Sequence, residues 1–455
     1  MHTRVRPPAA AILILIANGC SSKDDAIPDD AGGVDVGSTD EGSEADAASA
    51  DGASDTAADA GAPGFCTSEK PTVTASGAAF SATTTHYELY AETTEADATE
   101  LARLLEASSA AFAAWFERPP PAERMKVRYY KDSAAWAAGL TADGIAVPTG
   151  SGGYYSPSTK TAYLFAQGNP YYSHVLAVHE ATHQFHQLTR ATSVTLPVWY
   201  AEGHAEYLSR HDWDGQCVRL GVTSLLSWED LPAKVTTIDV GAIVGGTAVA
   251  TRPEAWAIFR YLDTGAEKAR FKAFRDAFDA GKSPSFADLV APPASLTAPV
   301  LAWLPSAQEP MKPIYTEWIH VGPHAVNVDT PGVFSLAVVK APTVTHFEGK
   351  ARVPATGKWS VGVVVSYTDP KNYVGVVHDS DGTVSTFTAT GSAVWAKVGT
   401  APKPVGAEVF SVEYAAGRAN VTFNGASVSV AAPTPRAGLA ANDTAASFHD
   451  VSWTP

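Results

Sequence analysis

"VHEATHQFH", residues 178–186, places three of the chain's 13 histidines and one glutamate within nine positions of a 455-residue sequence. On an α-helix, positions i and i+4 lie one above the other on the same face. His179 and His183 then aim their imidazoles at one point, as two nitrogen ligands of a single zinc ion must, and Glu180 stands beside them as a proton acceptor. His186 shares that face but sits about 10 Å along the axis from His179. It is therefore expected to line the pocket or to back a ligand, and His174 and His204 are left out of the ligand set. Asn169–Pro170 gives the helix its start, so that it runs from about Tyr171 to Thr189.

A catalytic zinc takes three protein ligands and keeps one position open. A third histidine in the pattern HExxHxxGxxH is excluded, because His186 stands where the glycine belongs and Thr189 where the histidine belongs. "LPVWYAEGHAEYLSR", residues 196–210, offers carboxylates instead. Eighteen residues separate His183 from Glu202, enough to finish one helix, turn and begin another, and Pro197 suits a first helical turn. Glu202 is then the third ligand. Glu206, four residues on, accepts a hydrogen bond from a ligand histidine and fixes its tautomer. Two neutral imidazoles and one carboxylate leave a divalent ion at a net charge of about +1, which suits polarisation of a scissile carbonyl. A developing oxyanion needs a further donor, for which Arg252, Tyr154, Tyr155 and Tyr261 are all candidates.

"HEATH", eighteen residues and "EGHAEY" together resemble the gluzincin zinc metallopeptidases, and most of all their peptidase MA-like branch. "GGYYSPSTKTAYLF" upstream and "AWAIFRYLDTG" (255–265) downstream share the resemblance, which covers roughly Tyr87 to Val290. It implies a zinc-dependent peptide-bond hydrolase that holds one Zn2+ on His179, His183 and Glu202 and uses Glu180 as general base. The N-terminal-amine-binding motif of the aminopeptidases has no counterpart here, which favours an endopeptidase acting on a protein or peptide substrate. The tyrosine that those enzymes carry near the start of the downstream helix falls at Arg252. "KTAYLFA" (160–166) is read as the edge strand that pairs with a bound peptide.

The chain opens with a basic start (Arg4, Arg6), an apolar run from Ala9 to Ala17 and then Gly19–Cys20. The run is too short to span a bilayer, and the segment reads as an export signal. It resembles a bacterial lipoprotein signal, which implies lipidation of Cys20, an anchor in the bacterial envelope and no other membrane contact. Residues 21–64 lack aromatics and are rich in Ala, Gly, Ser and Asp, the composition of a spacer that cannot bury enough apolar surface to fold. Residues 1–62 carry 3 Lys and Arg against 12 Asp and Glu, so −7 of the total −16 belongs to the remainder, which offers no basic surface for nucleic acid. With Cys20 assigned to lipid, Cys66 and Cys217 form an even pair, expected as a disulfide in an oxidising compartment.

The part left to fold exceeds one typical core, and its patterns divide. Residues 65–306 alternate strand and helix signals, the fold of an α+β gluzincin-type metallopeptidase domain with a small sheet and active-site helices. Residues 312–455 read as short strands with turn signals such as Asn424–Gly425, an all-β jelly-roll sandwich. The ending "AGLAANDTAASFHDVSW" (437–453) resembles concanavalin A-like or laminin G-like domains, which implies a module for a carbohydrate or protein ligand. The expected function is a lipid-anchored zinc endopeptidase. The alternative is an inactive surface binding protein on a peptidase scaffold, with the sandwich as its working part.

Overall fold

The computed structural model describes residues 64–149, 151–191, 196–224, 235, 237–306, 310–314, 318–321, 324–327, 334–353, 357–390, 392–404, 407–442 and 446–454. The leader, Cys20 and the spacer up to residue 63 lie outside them. The buried side chains fall into two main cores, one built from residues between Ala82 and Leu304 and the other from residues between Met311 and Val451.

The first core belongs to a mixed α/β region. Its strands are β1 (Phe65–Cys66), β2 (Thr72–Ser76), β3 (Ala79–Thr83), β4 (Tyr87–Ala91), β5 (Met125–Tyr130), β6 (Gly153–Ser156) and β7 (Thr161–Phe165). Six of them form one sheet in the order β2-β3-β4-β5-β7-β6, in which β4, β5 and β7 run parallel and β6 closes the row as an antiparallel partner of β7. Alternation along a strand sends side chains to opposite faces. Leu89, Val127, Tyr129, Ala162 and Leu164 accordingly meet α1 (Glu95–Phe116) and α3 (Pro170–Thr189) on one face. Tyr130 and Tyr163 meet Trp136 and Leu140 of α2 (Ser133–Ala142) on the other.

α1 begins with a capping box between Thr94 and Asp97, and it buries Leu101, Leu104, Leu105, Ser108, Phe112 and Phe116 along one stripe. α3 starts where Asn169 accepts a hydrogen bond from the Tyr171 N–H and Pro170 fills the first turn. α4 (Val198–Ser209) packs beside it, and two short strands follow, β8 (His211–Trp213) and β9 (Cys217–Leu220). β9 pairs with both β8 and β1, which brings Cys66 and Cys217 into a disulfide. The helices Arg252–Thr264 and Lys268–Asp279 complete this core with Ala255, Ile258, Phe259, Leu262, Phe271 and Phe274.

The second core lies between two antiparallel sheets, a β-sandwich. Among the described residues one sheet has seven strands, with Ser360–Asp369 held between Asn372–Asp379 and Pro435–Asn442. The other has eight, with His346–Arg352 held between Ser447–Thr454 and Ala407–Ala415. Its outermost strand, Thr223–Ser224, comes from the α/β region and pairs with Trp318–Val321, so the two regions share a sheet.

Candidate metal centre

α3 and α4 bring three side chains to one point. His179 Nε2 and His183 Nε2 are 3.2 Å apart, His179 Nε2 and Glu202 Oε2 are 3.4 Å apart, and His183 Nε2 and Glu202 Oε1 are 3.6 Å apart. Among the described residues this is the one group of three or more His, Cys, Asp or Glu side chains placed to hold a metal ion. A tetrahedral centre with ligand distances of about 2.0–2.1 Å sets its ligand atoms about 3.3–3.4 Å from one another; the two imidazole nitrogens, 3.2 Å apart, match that spacing, and one ligand atom from each of the three side chains lies within 4.8 Å of the others. One further observation fits a cation: Glu202 Oε2 is buried and makes no hydrogen bond. The two facing imidazole nitrogens can share either a proton or a cation between them.

The protonation pattern follows from the same geometry. Burial lowers His183 to about 4, which leaves it a neutral lone-pair donor at pH 7. Burial opposes ionisation of Glu202, yet the two imidazoles and Arg252 hold its carboxyl well below the usual range. For His179, burial and Arg252 disfavour the charged form, and the surrounding carboxylates of Glu202, Glu206 and Glu180 outweigh them and raise it. A field that draws a proton onto His179 also favours a divalent cation at that point.

Glu180 is buried one position from the candidate ligand His179 and faces β6. Its carboxylate accepts a hydrogen bond from the backbone N–H of Tyr155, and burial pushes its pKa up to about 7, the range in which a carboxylate works as a proton acceptor and donor. Gly153 makes room for it on that strand. Glu206, one turn beyond Glu202, places Oε1 3.4 Å from His179 Nδ1, the nitrogen pointing away from the triangle.

The four candidate oxyanion donors are distributed differently. Arg252 donates from Nη1 to Glu206 Oε1 at 2.7 Å. Tyr155 lies on the sheet face toward α3, and its buried hydroxyl has no hydrogen-bond partner among the described residues. Tyr154 packs with the α2 cluster on the opposite face. Tyr261 lies nine residues after Arg252 on the same helix and packs edge-on against Trp303, away from the site.

Two readings are corrected. The strand Lys160–Ala166 is not an edge: β7 is paired on one side with β5 and on the other with β6, so both rows of its backbone groups are used. The edge is β6, which the hairpin turn folds back outside β7, and among the described residues its outer side pairs with no strand. His186 neither lines the pocket nor backs a ligand. It turns into the core, where Nε2 meets Asp279 Oδ1 at 2.9 Å and its ring stacks on Phe116. His204 is buried against Phe259 and the Tyr200 carbonyl. His174 faces His211. The sequence reading missed Gly153, the Arg252–Glu206 pair and Asp279; the first two would have required the strand and helix packing, and the third pairs with a residue 93 positions away.

No family model matches the chain, and no curated protein matches it. Solved structures similar to it include the carbohydrate binding module CBM66 from Bacillus subtilis, 16% identical over 32% of this chain and 96% of that one with a TM-score of 0.28. They also include the galectin LEC-6 from Caenorhabditis elegans, 14% identical over 30% of this chain and 99% of that one with a TM-score of 0.22. Alginate lyase AlyC3 is 10% identical over 29% of this chain and 74% of that one, with a TM-score of 0.21. Likeness of this degree carries no function across.

Proposed function

We propose that the chain is a zinc-dependent peptide-bond hydrolase of gluzincin type, an endopeptidase of the peptidase MA-like branch, carried at the bacterial envelope by a lipid on Cys20. The observation that carries this reading is the triangle of His179, His183 and Glu202, with Glu180 beside it and bound to none of its members. These three side chains would hold the ion, which supplies a Lewis acid for the scissile carbonyl and for the attacking water. Glu180 takes the proton of that water and delivers it to the leaving amine, a double duty that its raised pKa suits. Glu206 holds His179 in the tautomer whose Nε2 lone pair faces the triangle. An extended peptide pairing along the outer edge of β6 would pass beside Glu180, because Gly153 and Tyr155 of that strand both contact its carboxylate. The sandwich is proposed to hold a carbohydrate or protein ligand that brings substrate to this site.

The test is metal content and cleavage of an unfolded protein by the full chain, with and without a chelator. Glu180→Gln is expected to keep the metal and lose turnover, and His183→Ala to lose both. A metal-free wild type, or cleavage that survives Glu180→Gln, rules the reading out.

A further inference from the structure

We propose that Arg252 is a positioning residue for the metal site, acting through Glu206 on His179. The inference rests on the metal reading above and concerns how the site is held. The chain of contacts is short and largely buried: Arg252 Nη1 to Glu206 Oε1 at 2.7 Å, then the same oxygen to His179 Nδ1 at 3.4 Å. The second oxygen, Oε2, has Arg210 Nη2 at 3.9 Å.

Helix preferences do not account for the arginine. Arg252 opens its helix directly after the cap Thr251, where the helix dipole disfavours a cation. Its partner compensates. The approach is made possible at Gly203, where a β-carbon would fall 2.7 Å from the Phe259 ring, so the Arg252 helix packs tightly against α4 and its first residue reaches Glu206. The pair also answers a charge problem. Glu180, Glu202 and Glu206 bring three buried carboxylates to one site, and without Arg252 the carboxylate of Glu206 would lose its closest cation while still facing His179. With the guanidinium in place, Glu206 is fixed where its Oε1 lies 3.4 Å from His179 Nδ1, close enough to orient that ring with Nε2 toward the ion.

The test is the dissociation constant for Zn2+ of the full chain, by chelator competition, in a double-mutant cycle of Arg252→Met and Glu206→Gln. Each single change is expected to weaken zinc binding about ten- to hundredfold. In the Glu206→Gln background, Arg252→Met is expected to weaken it less than about twofold further, because its route is already cut. Arg252→Gln serves the same cycle should Arg252→Met fail to fold. Wild-type affinity in the arginine variants, or losses that multiply in the double variant, overturns the proposal. A wild type that takes up no zinc overturns the metal reading itself, and is seen before any variant is made.

Discussion

Gly153 and Glu180 touch across the boundary between β6 and α3: a β-carbon at Gly153 would fall 2.8 Å from Glu180 Oε1 and 3.0 Å from its Cγ. That distance is shorter than side chains tolerate, so Gly153→Ala must displace the carboxylate. Displacing a proton-transfer group by about 1 Å costs on the order of a hundredfold in rate. Gly153→Ala is expected to lower kcat about ten- to hundredfold with metal content unchanged, measured by steady-state kinetics and metal analysis. Full activity in this variant would remove Glu180 from the proposed role.

Glu180 also makes stability depend on pH. Its carboxyl is raised by burial from 4.5 to about 7, so the folded state holds the proton more tightly than the unfolded chain does. The resulting stability is fully present below pH 4.5 and is lost as pH rises to about 7. Glu180→Gln, which cannot ionise, escapes the loss. In metal-free protein its advantage over wild type should be absent below pH 4.5 and reach on the order of 3 kcal/mol at pH 8. Denaturant titrations at pH 4.5 and 8 measure it, and an equal difference at both would contradict the burial argument.

How much of this was legible in the sequence depends on range. The spacing of His179 and His183 is helix arithmetic within one element, and so is that of Glu202 and Glu206, because 3.6 residues per turn fixes which side chains share a face. The sandwich strands announce themselves by alternation and by Asn424–Gly425, where both residues take positive φ. Relations between elements were not legible. "GGYYSPSTKTAYLFA" shows a hairpin but not which arm lies outermost, since that is decided by β5 pairing with β7. The side of α3 to which His186 turns is decided by Asp279 and Phe116, both distant in sequence.

The disulfide between Cys66 and Cys217 closes 151 residues of separation and ties β1 to β9, next to α1 and α4. Closing so long a loop restricts the unfolded chain, and loss of a native bridge of this kind costs about 3–5 kcal/mol. Cys66→Ala with Cys217→Ala should lower the denaturant midpoint accordingly and leave zinc affinity within about threefold, because neither cysteine touches the site. A collapse of metal binding in a folded double variant would show that the bridge shapes the centre.

Asp279 is the buried acceptor for three elements at once: His186 Nε2 at 2.9 Å, Arg118 Nη2 at 3.1 Å and the Tyr200 hydroxyl at 3.3 Å. Burial opposes its ionisation, and His186 and Arg118 hold it below the usual range all the same. Removing one member of such a set leaves the others desolvated and unpaired, so Asp279→Ala is expected to cost about 3–5 kcal/mol. His186→Asn removes one of its three partners and should cost about 1–3 kcal/mol. The two roles available to a third histidine of the opening motif separate here. As a core group, His186 can be replaced with loss of stability and no loss of metal, so His186→Asn should bind one zinc per chain with wild-type affinity. A tenfold weakening in that variant would show that His186 backs or lines the metal site rather than serving the core alone.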